Sequence, residues 1–360
     1  MRLILVAAAL GSFAAIGAMA AASASSAQEG AESLQTAPVT WTIEASDDQR
    51  AKGVVQLSLS RRAGGSSWTH SNTRPLSELD GLSLGQLASA DGGPVRFRLS
   101  RDAGTIDCEG VARRFHGTGD CRFVANPAFA QDLARRGYGR ATDTELFSLA
   151  LRNVGRDFLE EAARQGYARE GIGELVRASD HGVDLGYLRG MGAQGYRVRT
   201  LAALIRMRDH GVTPDYVGEL ARHGLRDIPA DEVVRARDHG VMPAFIAGIR
   251  GAGHRTRSLD ELIRLRDHGV TAEFVRALSG YGIRDMSTDD LVRLRDHGVS
   301  AAFLGELRAL GYGGLPTDQV IQLRDHGVSA DFIRRVNASG GGRRSAGELV
   351  ALRDGGWSAR

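Results

Sequence analysis

Six Asp-His-Gly tripeptides recur at a constant interval of 29 residues, and their side chains are the ones in this sequence best suited to chemistry. The carboxylate–imidazole pairs are Asp180-His181, Asp209-His210, Asp238-His239, Asp267-His268, Asp296-His297 and Asp325-His326. A carboxylate and an imidazole together can bind a metal ion or act in acid–base catalysis. However, packed helices lie about 8–10 Å apart, so histidines of successive copies cannot easily reach one ion. Neighbouring residues on one helix do not face each other either.

A structural role for this Asp-His column explains more of the pattern. An Asp in the last turn of a helix opposes the helix dipole at a cost of about 0.3–1 kcal/mol, so six of them imply specific partners. We predict that the partners are N–H groups of the following helix, or the arginine that precedes Asp in a neighbouring copy, as in Arg237, Arg266 and Arg295. Binding of a ligand or of a metal ion along the column is the alternative.

A column of arginines recurs three residues before the first five of these aspartates. Its members are Arg177, Arg206, Arg235, Arg264 and Arg293. The pattern places them on the polar side of a helix, where such residues are usually solvated or ion-paired. The column is also the best candidate in the sequence for a surface that binds anions or an acidic partner.

The 29-residue unit itself predicts two short helices. In one copy Ser258 and Glu261 have the spacing of a capping box at the start of the first helix, and Gly269 ends it. Thr271 is the predicted N-cap of the second helix, which carries a core aromatic residue. That aromatic recurs as Phe158, Tyr187, Tyr216, Phe245, Phe274, Phe303 and Phe332. A constant interval is typical of stacked supersecondary units, so we predict a solenoid of αα-hairpins over residues 127–360, with atypical copies at both ends.

Residues 38–126 have the period of strands rather than helices. Apolar and polar residues alternate over residues 41–44, 54–60 and 95–99, whereas residues 63–67 and 72–93 are typical of long loops. We therefore predict a small antiparallel β domain, which makes the whole chain α+β.

The two cysteines of the chain, Cys108 and Cys121, lie in this β domain. A hairpin turn over residues 113–116 makes them direct cross-strand partners and pairs Ile106 with Phe123. Opposed cysteines can meet disulfide geometry, so we predict a structural disulfide. A redox-active pair is the weaker alternative, because the C-x-x-C spacing is absent.

The first residues predict export. Arg2 precedes a run of small and apolar residues from Leu3 to about Ala22, and small-residue cleavage sites follow it. We assign residues 1–27 to a signal peptide and 28–37 to a linker, with a retained membrane anchor as the alternative. No later stretch is long and apolar enough to span a membrane, so the mature chain is predicted to be periplasmic or extracellular without an integral membrane segment.

Composition and absent motifs exclude several classes of function. The 46 basic and 43 acidic residues give a net charge of only +3, whereas a nucleic-acid binder shows a strong basic excess on one face. The sequence has no H-E-x-x-H, P-loop or G-x-S-x-G motif and no paired-cysteine zinc pattern. We therefore predict no cofactor, no metal site, no nucleic-acid partner and no enzyme, with an enzyme that acts on envelope polymers as the remaining alternative.

The Arg-Asp-His-Gly-Val copies resemble a repeat of exported bacterial proteins. Similar repeats form the extracytoplasmic tails of some antibiotic-sensing membrane metallopeptidases. The segments Arg101–Thr105 and Cys108–Gly110 resemble the residues that precede the repeats in such proteins, and the resemblance covers about residues 38–356. The peptidase motif and the multiple transmembrane helices are missing here, so the resemblance implies a sensor-like or scaffold-like module without protease activity.

Together these observations predict an exported, non-catalytic binding or scaffolding protein. Its helical-repeat surface would be presented to a protein or peptide partner, as solenoids characteristically do. The alternative is an envelope sensor or regulatory subunit that acts beside a membrane peptidase. The sequence leaves the oligomeric state open.

Overall fold

The computed structural model describes residues 38–358, apart from residues 64, 65, 168, 257 and 341. The side chains of residues 63 and 66 are likewise outside the description. The predicted signal peptide over residues 1–27 and the linker over residues 28–37 lie outside the described residues. Within them, a six-stranded antiparallel sheet is followed by sixteen helices, so the predicted α+β class is confirmed.

The described chain divides into two compact units, and the division falls within a helix. The first unit contains residues 38–160 together with Arg169–Asp180, and the second contains residues 161–167 and 181–358. The sheet lies wholly in the first unit, with the helices that follow it directly along the chain. The Asp-His copies from His181 onward lie in the second unit.

The sheet has the strand order β3-β2-β1-β6-β5-β4, and every neighbouring pair is antiparallel. The strands are β1 (Val39–Glu44), β2 (Val54–Ala63), β3 (Ser66–Pro75), β4 (Gly93–Arg101), β5 (Gly104–Arg113) and β6 (His116–Ala125). Residues alternate between a buried and an exposed face, as in a sheet with one side in the core. Trp41 is fully buried on the core side, where its indole N–H donates to the Glu109 carbonyl at 3.0 Å.

The predictions of loops over residues 63–67 and 72–93 are partly wrong, because a strand covers the end of the first and the start of the second. Strand β3 starts at Ser66 and pairs along its whole length with β2, from Ala63 opposite Ser66 to Val54 opposite Pro75. This edge strand consists mostly of serine, threonine, histidine and asparagine, so it lacks the apolar alternation by which strands are recognised. Beyond it, Leu76–Glu78 form a 3-10 turn and Leu84–Ala88 a short helix.

The predicted hairpin and its cross-strand pairs are confirmed. Arg114 and Phe115 both have positive φ, 48° and 66°, as a two-residue hairpin turn requires. In the resulting register Ile106 lies opposite Phe123, and Cys108 lies opposite Cys121 and forms a disulfide with it. Both cysteines are buried in the core face of the sheet.

Two short helices accompany the sheet, and sixteen follow it. The first two are α1 (Asp47–Ala51) and α2 (Leu84–Ala88). The others are α3 (Pro127–Arg135), α4 (Asp143–Arg152), α5 (Arg156–Gln165), α6 (Ile172–Asp180), α7 (Leu185–Ala193), α8 (Leu201–Asp209), α9 (Pro214–Arg222), α10 (Ala230–Asp238), α11 (Pro243–Gly251), α12 (Leu259–Asp267), α13 (Ala272–Tyr281), α14 (Thr288–Asp296), α15 (Ala301–Ala309), α16 (Thr317–Asp325), α17 (Ala330–Ala338) and α18 (Ala346–Asp354). None of the described helices is both long enough and apolar enough to cross a membrane.

The copy from which the helix ends were predicted begins and ends its helices at the residues that the sequence indicates. The Ser258 hydroxyl accepts from the Glu261 N–H, and the Thr271 hydroxyl accepts from the Phe274 N–H. Gly269 follows the first helix with φ of 67°, a left-handed conformation that glycine adopts without strain. Like helices of successive copies pack together, α12 with α14 and α13 with α15, so the C-terminal region is a helical repeat array.

Candidate functional site

Each histidine of the Asp-His column contacts the aspartate of the next copy rather than its own neighbour. In the second unit, Nδ1 of the histidine lies 2.6–2.9 Å from a carboxylate oxygen 28 residues further on. The pairs are His181–Asp209, His210–Asp238, His239–Asp267, His268–Asp296, His297–Asp325 and His326–Asp354. The imidazoles are about two-fifths exposed, at 40–42%. The column is therefore a series of hydrogen-bonded bridges between successive copies.

The first unit contains the same bridge with a different cation. Arg152 occupies the position that histidine takes in later copies, and its guanidinium is paired with Asp180. The following residue, Asn153, adopts the left-handed conformation with φ of 55°, in place of the usual glycine. An arginine thus supplies the contact where the Asp-His-Gly motif is absent.

The arginines that precede the aspartates are not their partners, so this part of the prediction is wrong. Their guanidinium groups instead lie over the aromatic ring of the preceding copy, 5.1–5.6 Å from its centre. The pairs are Arg208–Tyr187, Arg237–Tyr216, Arg266–Phe245, Arg295–Phe274, Arg324–Phe303 and Arg353–Phe332. Three of these arginines also donate through Nε to the glycine carbonyl of the preceding copy, at 2.9–3.1 Å. Cation–π contact and hydrogen bond together attach each copy to the one before it.

The arginine column predicted to bind a partner is paired within the array. Four of its members contact the Asp in the first turn of the next copy's first helix: Arg206–Asp231, Arg235–Asp260, Arg264–Asp289 and Arg293–Asp318. The fifth, Arg177, contacts Glu174 one turn earlier in its own helix. These arginines are about half exposed, but each positive charge lies beside a carboxylate. The column therefore offers an acidic partner little uncompensated charge.

A different column of arginines, which we call the loop-arginine column, was missed by sequence analysis. It consists of Arg197, Arg226, Arg255 and Arg284, in the loops between the second helix of one copy and the first helix of the next. All four are exposed, and within the described part of the chain none forms an ion pair or hydrogen bond. Their spacing of 29 residues is the same signal that revealed the other columns.

The geometry of the histidines does not favour a metal ion. Each imidazole faces one carboxylate, whereas a metal site needs three or four converging ligands. Among residues 38–358, with the gaps given above, no group of three or more His, Cys, Asp or Glu side chains is arranged to hold a metal ion.

Comparison with known proteins adds no assignment. No protein-family model matches the sequence, and no curated protein matches it. Function is therefore inferred from the residues and their geometry.

We expect the bridge between His268 and Asp296 to contribute measurably to stability. Its Nδ1–Oδ1 distance is 2.6 Å, but both side chains are partly exposed, so the coupling free energy should be about 0.5–1 kcal/mol. A double-mutant cycle with His268→Gln and Asp296→Asn, followed by urea unfolding, measures it. The same cycle on His268 and Asp267, which are adjacent but do not face each other, is the control and should give coupling near zero. Equal coupling in the two cycles would contradict the bridge.

One titratable group at the edge of the sheet has a shifted pKa. His70 lies on β3, where its Nε2 accepts from the Asn72 amide at 2.8 Å. Burial lowers the pKa of His70 below the usual 6.5, and the nearby guanidinium groups of Arg152 and Arg74 lower it further, while Asp180 and the Leu151 carbonyl oppose them. The imidazole is thus held in its neutral form, within the first unit, at neutral pH.

This shift predicts a pH dependence of stability. The unfolded chain binds a proton at His70 more readily than the folded chain does. The contribution of His70 to the free energy of unfolding is therefore fully present above about pH 6.5 and decreases as the pH falls below it. Thermal unfolding between about pH 7.5 and 5.5 should show the decrease, and His70→Gln should reduce its slope. An identical slope in the two proteins would rule out this role of His70.

Proposed function

We propose that this protein is an exported, non-catalytic binding or scaffolding protein. In this proposal the 29-residue copies stack into one solenoid, which presents a repeated surface to a protein or peptide partner. Solenoids characteristically bind partners along such extended surfaces.

The observation that carries the proposal is the set of six His–Asp bridges. Each one joins a copy to the next with the same atoms and nearly the same distance, which keeps successive copies in a fixed register. The recurring cation–π contacts add a second set of links between copies. Because these columns are occupied by contacts between copies, they support a rigid array rather than a reaction centre.

Export is supported by the disulfide. Disulfides persist mainly in oxidising compartments, so Cys108–Cys121 favours a location outside the cytoplasm. The predicted signal sequence at the start of the chain agrees with this location. The partner is therefore expected in the periplasm or outside the cell.

Selection from a random peptide library tests the binding function directly. The immobilised, oxidised protein should enrich peptides with a shared pattern, and a labelled member should bind in solution with saturation. Mass spectrometry should recover the bound peptide intact, because we propose no catalysis. Failure to enrich any pattern and to observe saturable binding would refute the binding function, while cleavage of the peptide would refute the non-catalytic part.

A further inference from the structure

Two grooves open beside the loop-arginine column, two copies apart. They occupy equivalent repeat positions and measure about 160 and 460 Å³. The equivalent apolar residues are Leu220 and Leu278, Leu225 and Ile283, and Ile228 and Met286. Of these, Ile228, Ile283 and Met286 are only partly buried, so each groove exposes some apolar surface.

The loops that border the grooves share one backbone conformation. Asp227 and Asp285 occupy the same repeat position, and both have φ of 55°, in the left-handed region that few residues other than glycine adopt. Arg226 and Arg284 immediately precede them and line the two grooves. The chain therefore repeats the same groove and the same arginine after two copies.

We propose that the two grooves and the loop-arginine column bind an extended acidic peptide that also carries apolar side chains. This inference rests on the proposed binding function and deepens it by naming the surface and the class of ligand. Apolar side chains of the peptide occupy the grooves, and its carboxylates reach the loop arginines. Apolar pockets bordered by a few charged groups are the usual composition of a specific binding surface.

The two arginine columns differ in whether carboxylates of the array already pair with them. This difference indicates which column can bind an acidic ligand. Arg206, Arg235 and their equivalents already contact carboxylates of the array, so an incoming carboxylate would have to displace an internal partner. The loop arginines have no such partner among the described residues, and an incoming carboxylate displaces only water. The free energy gained from an acidic ligand is therefore larger at the loop-arginine column.

A peptide suits this surface better than a nucleic acid does. Asp227 and Asp285 lie directly after two of the four arginines, so the positive charge along the column is modest. Binding to a phosphate backbone depends on dense positive charge, and a phosphate group gains no favourable contact in an apolar groove. Both features favour a ligand that mixes carboxylates with apolar side chains.

A fluorescence anisotropy titration tests the assignment. The probe is a labelled peptide that alternates glutamate with leucine over about 9 residues, because three steps of about 8–10 Å between copies require about 24–30 Å of extended chain at about 3.3 Å per residue. The variant replaces Arg197, Arg226, Arg255 and Arg284 with Gln. The matched control replaces Arg206, Arg235, Arg264 and Arg293 with Gln, which removes the same charge from the paired column.

We expect the loop-arginine variant to bind the probe about tenfold more weakly or worse, while the control stays within about twofold of the original protein. Circular dichroism should show both variants folded, because the loop arginines are exposed and have no ion pair among the described residues, and the exposed ion pairs of the control column contribute little to stability. Added salt should weaken binding by the original protein more than by the loop-arginine variant.

Four results would overturn the inference. They are equal binding by both variants, equal binding of a peptide with lysine in place of glutamate, equal binding of an oligonucleotide, and light scattering that shows the loop arginines to hold two copies of this chain together. If library peptides bind but are indifferent to the loop arginines, the surface is wrong and the binding function stands. If neither the probe nor any library peptide binds, both the surface and the proposed binding function are refuted.

Discussion

Phe274→Ala lowers the free energy of unfolding of the repeat array by about 3–5 kcal/mol. Phe274 is 2% exposed and belongs to the core formed by α11 to α18. Its ring also lies under the guanidinium of Arg295, 5.2 Å from the ring centre. Truncation to alanine removes the packing of a whole aromatic ring, opens a cavity and leaves Arg295 without its contact.

Urea unfolding measured by circular dichroism gives the free energy, and hydrogen exchange locates the loss. Phe274→Leu is the matched control, because it retains most of the buried volume and should cost about 1.5 kcal/mol or less. Exchange should increase first in α13 and in the helices that pack against it. A loss below about 1 kcal/mol for Phe274→Ala would show that this aromatic column is not the core of the array.

Removal of the disulfide has the second largest expected effect. Cys108 and Cys121 are 13 residues apart, and closing a loop of that length restricts the unfolded chain by about 3 kcal/mol. Because both cysteines are buried on neighbouring strands of the sheet, the loss should appear in the first unit. We expect Cys108→Ala with Cys121→Ala to destabilise that unit by about this amount.

Two comparisons check this expectation. Reduction of the unaltered protein should destabilise it to a similar extent, because it releases the same constraint without changing side-chain volume greatly. Reduction of the double variant should have no further effect. If the oxidised and reduced forms of the unaltered protein unfold at the same urea concentration, the disulfide contributes nothing to stability.

The repeat and its helices could be predicted from sequence because their signals are local. Ser258, Thr271 and Gly269 define helix ends through contacts with residues only a few positions away. The hairpin that pairs Cys108 with Cys121 was likewise set by one short turn. Strand β3 escaped prediction because its pairing with β2, and not its own polar sequence, makes it a strand.

The partners of the charged columns could not be predicted, because they depend on contacts between copies. His268 pairs with Asp296, and Arg264 pairs with Asp289. Which carboxylate each side chain contacts depends on how far one packed helix is shifted along the next. Periodicity therefore identified the columns, whereas packing assigned their contacts.

The central claim is that the repeat array, and not the sheet, binds a peptide partner. Hydrogen exchange of the whole protein with and without a library-selected peptide tests it most directly. We predict slower exchange in segments that recur at intervals of 29 residues between about residues 194 and 291, with no change over residues 38–126. Protection confined to the sheet, or no protection at a saturating peptide concentration, would contradict the claim.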